Sequence, residues 1–295
     1  MAIGTPSESP AIVVKEVDLT GGVPNVQSTT GAFAGEFRWG PAEVATLVST
    51  ETQLAETFGA PSDSYAVDFL SAAYFLKYAN ALQTVRVVDA AALNACDSGA
   101  AATQIKTSDA WDNGTFSTGN IFAKWPGEFG NSLQVVWSDS ANWSSWDSTY
   151  ADQFDGAPTG EEHHVLILDE DGVITGTAGT VLERFPYVSA TSSAANADGS
   201  SNYMKDVINR QSEYIWMNNV VDSTGTHSLS GGKNSSATTA NYLTGFDAFE
   251  DKDTLQVDFL IAPQADSGGT QATLVNDLIA TAGTTRKDCI VVTSP

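Results

Sequence analysis

The sequence has 295 residues, of which 42% are hydrophobic, and it sets 13 basic residues against 36 acidic ones for a formal charge of −23. That length and apolar share support a sizeable core divided over two or three domains and exclude global disorder. The acidity excludes nucleic acid and an anionic membrane surface as partners, because both are gripped through basic side chains.

An acidic surface keeps a free subunit soluble by self-repulsion, and it also fits a basic partner. Cys96 and Cys289 are the only cysteines. They form neither a disulfide framework nor a zinc spacing. The N-terminal MAIGTPSESPAIVVKE has no apolar signal core, and no apolar run reaches membrane-spanning length. The expectation is a chain made and folded in the cytoplasm, with no membrane partner.

Residues 1–10 read as an extended arm. The segment Ala11, Ile12, Val13, Val14, Lys15, Glu16, Val17 has strand composition but stands alone before a Gly/Pro/Ser-rich linker over 18–30. It can be an edge strand of its own domain, the simpler reading on residues alone, or a strand donated to another subunit. Gly31 to Pro41, GAFAGEFRWGP, places Phe33, Phe37 and Trp39 at odd positions. Alternation predicts one aromatic strand face, stopped by Gly40-Pro41. Val44 to Val48 is a second short strand. Thr50 caps a helix over Glu51 to Phe58, which Gly59-Ala60-Pro61 ends.

Another helix starts at Ser62 or Ser64 and runs to about Tyr78, with Val67, Leu70, Ala73, Tyr74 and the Lys77 stem at helical spacing. Phe58, Tyr65, Phe69, Tyr74, Phe75 and Tyr78 are read as core, and Thr84 to Val88 returns as a strand. Residues 91–120 are a loop-rich crossing. Ile121 to Trp125, Leu133 to Trp137, Val165 to Leu168, Val173 to Thr175 and Val181 to Tyr187 are strands. The Asp169-Glu170-Asp171-Gly172 turn marks a hairpin. Many short strands with regular turns predict a sandwich-like domain.

From residue 202 the pattern is α/β again. Helices are expected over Tyr203 to Arg210, Thr239 to Asp247 and Thr270 to Ala282, the last with Leu274, Leu278 and Ile279 inward. Strands are expected over Glu213 to Met217 and Leu255 to Ile261, with another buried strand at Ile290 to Val292. Strand, helix, strand makes a parallel βαβ unit. The fold expected is multidomain, α+β to α/β: an arm (1–22), a core (23–90 and 191–295) and an inserted β-sandwich-like domain (91–190).

No catalytic constellation emerges. Asp266-Ser267-Gly268-Gly269 resembles a serine-protease nucleophile loop, but no histidine stands in a partner motif, so it reads as turn and helix cap. Gly231-Gly232-Lys233-Asn234 lacks the Ser/Thr after Lys that a phosphate loop needs. Gly172, Gly176 and Gly179 miss the dinucleotide spacing, and the 169–172 run is too short for a calcium loop. His163 and His164, beside Glu161 and Glu162, point to opposite faces of a strand and cannot easily share a metal. No cofactor is called for.

Read in order, several segments resemble the tail sheath proteins of contractile-tailed bacteriophages. They are AIVVKEV, GEFRWGPA (35–42), ETFGAPS (56–62), DFLSAAYFLKYAN (68–80), VRVVDA (85–90), KWPGEFGNSLQV (124–135), SEYIW (212–216), LSGG (229–232), LQVDFLIAP (255–263) and RKDCIVVTSP (286–295). Two departures stand out. Such proteins continue past this SP, which implies a missing C-terminal part that finishes the core, and some carry a large outer domain where only 91–120 stands here.

The resemblance implies a structural virion subunit, not an enzyme, assembled in the host cytoplasm. Its partners would be itself in a helical array, the tail tube, and the baseplate and tail terminator proteins. Stacked rings would contract on baseplate triggering and drive the tube through the host envelope. It also implies that Ala11 to Val17 pairs with another subunit's sheet across a hinge up to Thr30. Three alternatives stay open: the sheath of a phage-derived injection machine, an α/β enzyme with its site near Gln264 to Gly269, and a receptor-binding tail protein using Trp143 and Trp146.

Overall fold

The computed structural model describes residues 29–99, 103–220, 225–264 and 269–294. The expected arm and the Ala11–Val17 strand lie outside the described residues, as do 266–268 of the DSGG turn.

The first sheet is built from β1 (Thr30–Gly35), β2 (Thr46–Val48), β3 (Ala81–Arg86), β10 (Phe259–Ile261) and β11 (Ile290–Val292), in the order β11-β10-β1-β3-β2. All pairs are parallel except β2 with β3. α1 (Glu51–Phe58) and α2 (Ala66–Leu76) cover one face, and α6 (Thr239–Asp247) and α7 (Gly269–Ala280) cover the other. The parallel βαβ crossover expected at the C-terminal end is present, with α7 between β10 and β11.

β1 is buried on both faces. Phe33 packs with Leu54, Phe58 and Phe69 under α1 and α2, while Ala32 and Ala34 face Tyr242, Phe246 and Leu274 under α6 and α7. The α2 side can take Phe33 only because its neighbours on that face are glycines. A Cβ on Gly31 would lie 2.6 Å from the Phe75 ring.

The strand expected over Gly31 to Pro41 stops at Gly35. Beyond it, side chains serve the backbone polar groups that a ladder would have served. Asp68 accepts from the Glu36 amide, and Arg86 donates to the carbonyls of Phe37, Arg38 and Gly40. Phe33 and Phe37 still share one cluster, but Trp39 crosses to the other half of the molecule and packs on Phe129, 5.9 Å away.

α1 forms over the residues expected, with the Thr50 side chain accepting from the Gln53 amide and Gly59 leaving the helix at φ 89°. α2 is shorter than expected and turns the other way. Phe69, Ala72, Ala73 and Leu76 are buried, while Val67, Leu70 and Tyr74 are exposed, as is Tyr78 beyond the helix end. The helix carries apolar residues on two faces, and the alanines let one of them approach the sheet closely. Ile279 of α7 is also exposed rather than inward, and β11 is a half-exposed edge strand rather than a buried one. β10 begins only at Phe259, because Leu255 is committed to a turn on Asp251 and its carbonyl accepts from buried Arg286.

The second region holds a four-stranded antiparallel sheet of β5 (Leu133–Asp139), β6 (Glu162–Asp169), β7 (Thr180–Ser189) and β9 (Gly225–Ser228), in the order β7-β6-β5-β9. β4 (Ile121–Ala123) pairs instead with β8 (Ile215–Met217), ninety residues downstream in the chain. Alternation along β5 sends Leu133, Val135 and Trp137 into a core with Ile121, Ala123, Ile215 and Met217, closed by Met204, Val207 and Ile208 of α5 (Met204–Gln211). In place of a sandwich of two full sheets, one sheet is faced by a two-stranded ribbon and a helix.

Its outer side, Val136, Leu166 and Leu168, is covered by Trp146, Tyr150 and Phe154 around α4 (Ser148–Ala151). On the ribbon's far side α3 (Ser108–Asp112) stacks Trp111 on Trp216, at 5.2 Å. The β6–β7 hairpin exists, but Val173 to Thr175 belongs to its loop. The buried Asp169 carboxylate accepts from the amides of Ile174 and Thr175 and from the hydroxyls of Thr175 and Ser132, which holds that stretch as a turn.

Candidate interaction surfaces

Among the described residues, three surfaces of the first region stand out as open to another chain. β11 ends the first sheet with Ile290 63% exposed, so a row of backbone donors and acceptors faces outward beside an apolar side chain. Such an edge is a template for another strand. β2 ends the opposite side of the sheet with Leu47 half exposed. The third surface is the outer face of α2, where Val67, Leu70, Tyr74 and then Tyr78 follow one another at helical spacing, Tyr78 being 84% exposed. From sequence Tyr74 and Tyr78 are expected in the core, and Val67 and Leu70 share a helical stripe with Tyr74. The only warning was that the helix had more apolar positions than one face needs.

The enzyme alternative placed its site at the C-terminal strand ends. Of its residues 264–269, four lie outside the described residues. At the described strand ends β1 and β3 deliver Glu36 and Arg86. The Arg86 guanidinium is buried and donates to four backbone carbonyls, those of Phe37 (3.0 Å), Gly40 (3.1 Å), Arg38 (3.4 Å) and Pro126 (2.8 Å). Burial lowers its pKa to about 10.

Beside it, Asp68 of α2 accepts from the Glu36 amide and from the Tyr242 hydroxyl of α6 (2.7 and 3.0 Å). Glu36 in turn accepts from the Ala237 amide at 2.6 Å. Burial pushes Asp68 up to about 6 and Glu36 upward too; Tyr242 is raised by burial and by both carboxylates. The free space against Arg86 is only about 10 Å³, too small for a substrate. The arrangement ties strand ends to helices and to the turn at Pro126. Sequence reading missed Arg86 and Asp68, although a charge inside VRVV and inside an apolar helix was the available signal.

Two histidines, His163 and His164, are also committed. His163 and His164 do diverge. The buried His164 ring stacks on Phe154 at 4.1 Å, takes the Tyr187 amide on Nδ1 and meets the Gly156 carbonyl with Nε2. Nδ1 thus accepts, so Nε2 carries the proton, and burial lowers the pKa of this neutral ring. Trp143 lies edge-on to His164 at 5.3 Å and Trp146 stacks on Phe154 at 5.9 Å, so both indoles help cover the sheet. Gly232 of the rejected phosphate-loop candidate exchanges hydrogen bonds with the Asn131 side chain. Among the described residues no group of three or more His, Cys, Asp or Glu could hold a metal ion, and no helix is long and apolar enough to cross a membrane.

No family model matches the chain. It is 35% identical over 199 residues to the tail sheath protein of Salmonella phage ViI, a match taking in 66% of this chain and 31% of that protein. It is 44% identical over 81 residues to the tail sheath protein of Enterobacteria phage T4, across 28% of this chain and 12% of that one. The chain therefore spans less than a third of the length of these curated relatives. In fold it is similar to the crystal structure of a sheath tail protein from Listeria innocua, with a TM-score of 0.52 and 14% identity over 87% of this chain and 45% of that one. Along part of their length this chain is similar in sequence to the tail sheath proteins of these bacteriophages, and its mixed α/β fold is similar to that of a sheath tail protein.

Proposed function

We propose that the chain is a structural, non-enzymatic subunit of a contractile phage tail sheath, polymerising as stacked rings around the tail tube and contracting to drive the tube through the host envelope. The observation that carries this reading is the 35% identity over 199 residues to a phage tail sheath protein. The exposed β11 edge supports it, because a parallel sheet ending on a half-exposed strand has an open place for a strand from another chain. In this reading Ala11 to Val17 supplies such a strand and the linker to Thr30 is the hinge. Backbone hydrogen bonds keep the link while rigid bodies slide. The subunit works in the virion tail after assembly in the host cytoplasm, contacting copies of itself, the tail tube, and the baseplate and tail terminator proteins.

Electron microscopy of the expressed protein tests the proposal, with ringed tubes as the expected product. Val13→Pro removes a ladder N–H. It is expected to abolish tubes while the circular dichroism and melting curve of the free subunit stay unchanged. Normal tubes from that variant would rule out strand donation through this segment.

A further inference from the structure

Where the two regions meet, a cavity of about 310 Å³ is walled by Trp39, Trp125, Phe129 and Tyr214, with Glu56 of α1 and Glu213, just ahead of β8, at its margin. We propose that this pocket binds a cationic side chain, lysine or arginine, presented by another protein chain.

Three observations point to that chemistry. The first is the wall itself. Aromatic faces carry the negative lobe of the ring quadrupole, and several rings around one space favour a cation over a neutral group. The rings here already accept cations from outside the cavity. The Arg38 guanidinium lies 4.9 Å from the Trp39 ring centre and the Lys124 ammonium 5.9 Å from that of Trp125. Both cations donate to backbone carbonyls, those of Val173 and Ser212.

The second is an excess of negative charge: Glu56, Glu213 and Glu183 stand against one ammonium, that of Lys124. Among the described residues the close ion pairs are Lys106–Glu43 and Arg286–Asp288; Glu56 is in neither, and Glu213 shares the field of the single Lys124 ammonium with Glu183. Behind them Glu183 accepts the Glu213 amide on Oε1, while its Oε2 is buried with no partner. A neutral apolar occupant would strip water from carboxylates and return nothing, and an anion would be repelled by all three.

The third is size. A volume of this order sits at the small end of ligand pockets and suits one long side chain rather than a cofactor. Lysine and arginine carry an apolar stem for the rings and a charged head for the carboxylates.

This inference goes beyond the sheath proposal and does not depend on it, because it can be tested on the free subunit. N-acetyl-lysine amide, N-acetyl-arginine amide and the neutral N-acetyl-norleucine amide are titrated into the full chain, following indole N–H resonances assigned through Trp39→Phe and Trp125→Phe. The two cations are expected to shift both indoles saturably, with millimolar dissociation constants that rise with salt, and the neutral probe is expected to be silent. The double variant Glu56→Gln/Glu213→Gln, checked for an unchanged circular dichroism spectrum, is expected to weaken binding at least tenfold. Shifts of equal size with the norleucine probe would overturn the proposal, as would no saturable shift with either cation or unaltered binding in the double variant. Tighter binding of choline than of either amide would reassign the pocket to a free organic cation and overturn it as stated.

Discussion

Asp68 and Asp169 are both buried aspartates, one in each region, and their environments push them in opposite directions. Asp68 lies under the α/β sheet, where burial outweighs two hydrogen bonds and raises it to about 6. Asp169 ends β6 in the antiparallel region. Burial pushes it up as well, but the bonds from Ser132, Thr175 and Ile174 outweigh that and hold it below the usual carboxylate range. The difference is the number of donors aimed at the ionised form. One region keeps its carboxylate as a half-satisfied tie between strand end and helices, and the other uses an ionised carboxylate as the organising centre of a loop.

The comparison can be broken most severely at the Arg86 tie, since this guanidinium links the strand ends of the first region to Pro126 of the second. Arg86→Ala leaves several carbonyls without donors and is expected to cost about 4 kcal/mol in urea unfolding. A loss below about 1 kcal/mol would mean that the regions are held together elsewhere.

Asp169→Ala removes four donors' acceptor at once and is expected to cost about 3 kcal/mol, with hydrogen exchange quickening first at Ile174 and Thr175. If those amides stay protected, the carboxylate does not organise the loop.

Asp68→Asn sharpens the contrast through pH. A carboxyl raised above its unfolded value is favoured as the neutral acid in the fold. Its stabilising effect is complete below about pH 4 and is lost as pH rises through about 6. The wild-type chain is therefore expected to lose about 2–3 kcal/mol across that window relative to Asp68→Asn, Asp169 acting equally in both. Parallel stability profiles for the two proteins would show Asp68 to be ionised in the fold at all these pH values.

The smallest effect belongs to the α1 cap. Thr50→Ala is expected to cost about 1 kcal/mol, confined to the first region. A matching loss of protection in β5 to β7 would show that the regions unfold together.

Much of the first region was legible in the chain. α1 and α6 form over the expected residues because capping is local chemistry: Thr50 meets Gln53 three residues on, and Thr238 and Asn241 cap each other. The βαβ unit at the C-terminal side was legible for the same reason, being made from neighbours in sequence, whereas the hairpin expected to return at Val173 returns only at Thr180. The candidate surfaces were much less legible. Two apolar stripes on α2 satisfy helical spacing equally, and only contact with the sheet exposes Val67, Leu70 and Tyr74.

What the sequence by itself determined, then, is the identity of most elements and the likeness to sheath proteins, because caps, turns and ordered segments are read within a few residues. Tertiary structure alone decided that β4 pairs with β8, that β9 joins β5, that Trp39 leaves its strand's cluster for Phe129, and that four rings and two carboxylates line one pocket. Those outcomes depend on which distant surfaces fill one another's space and satisfy one another's polar groups. That is a competition among whole faces of the molecule, and no local window of sequence contains both contestants.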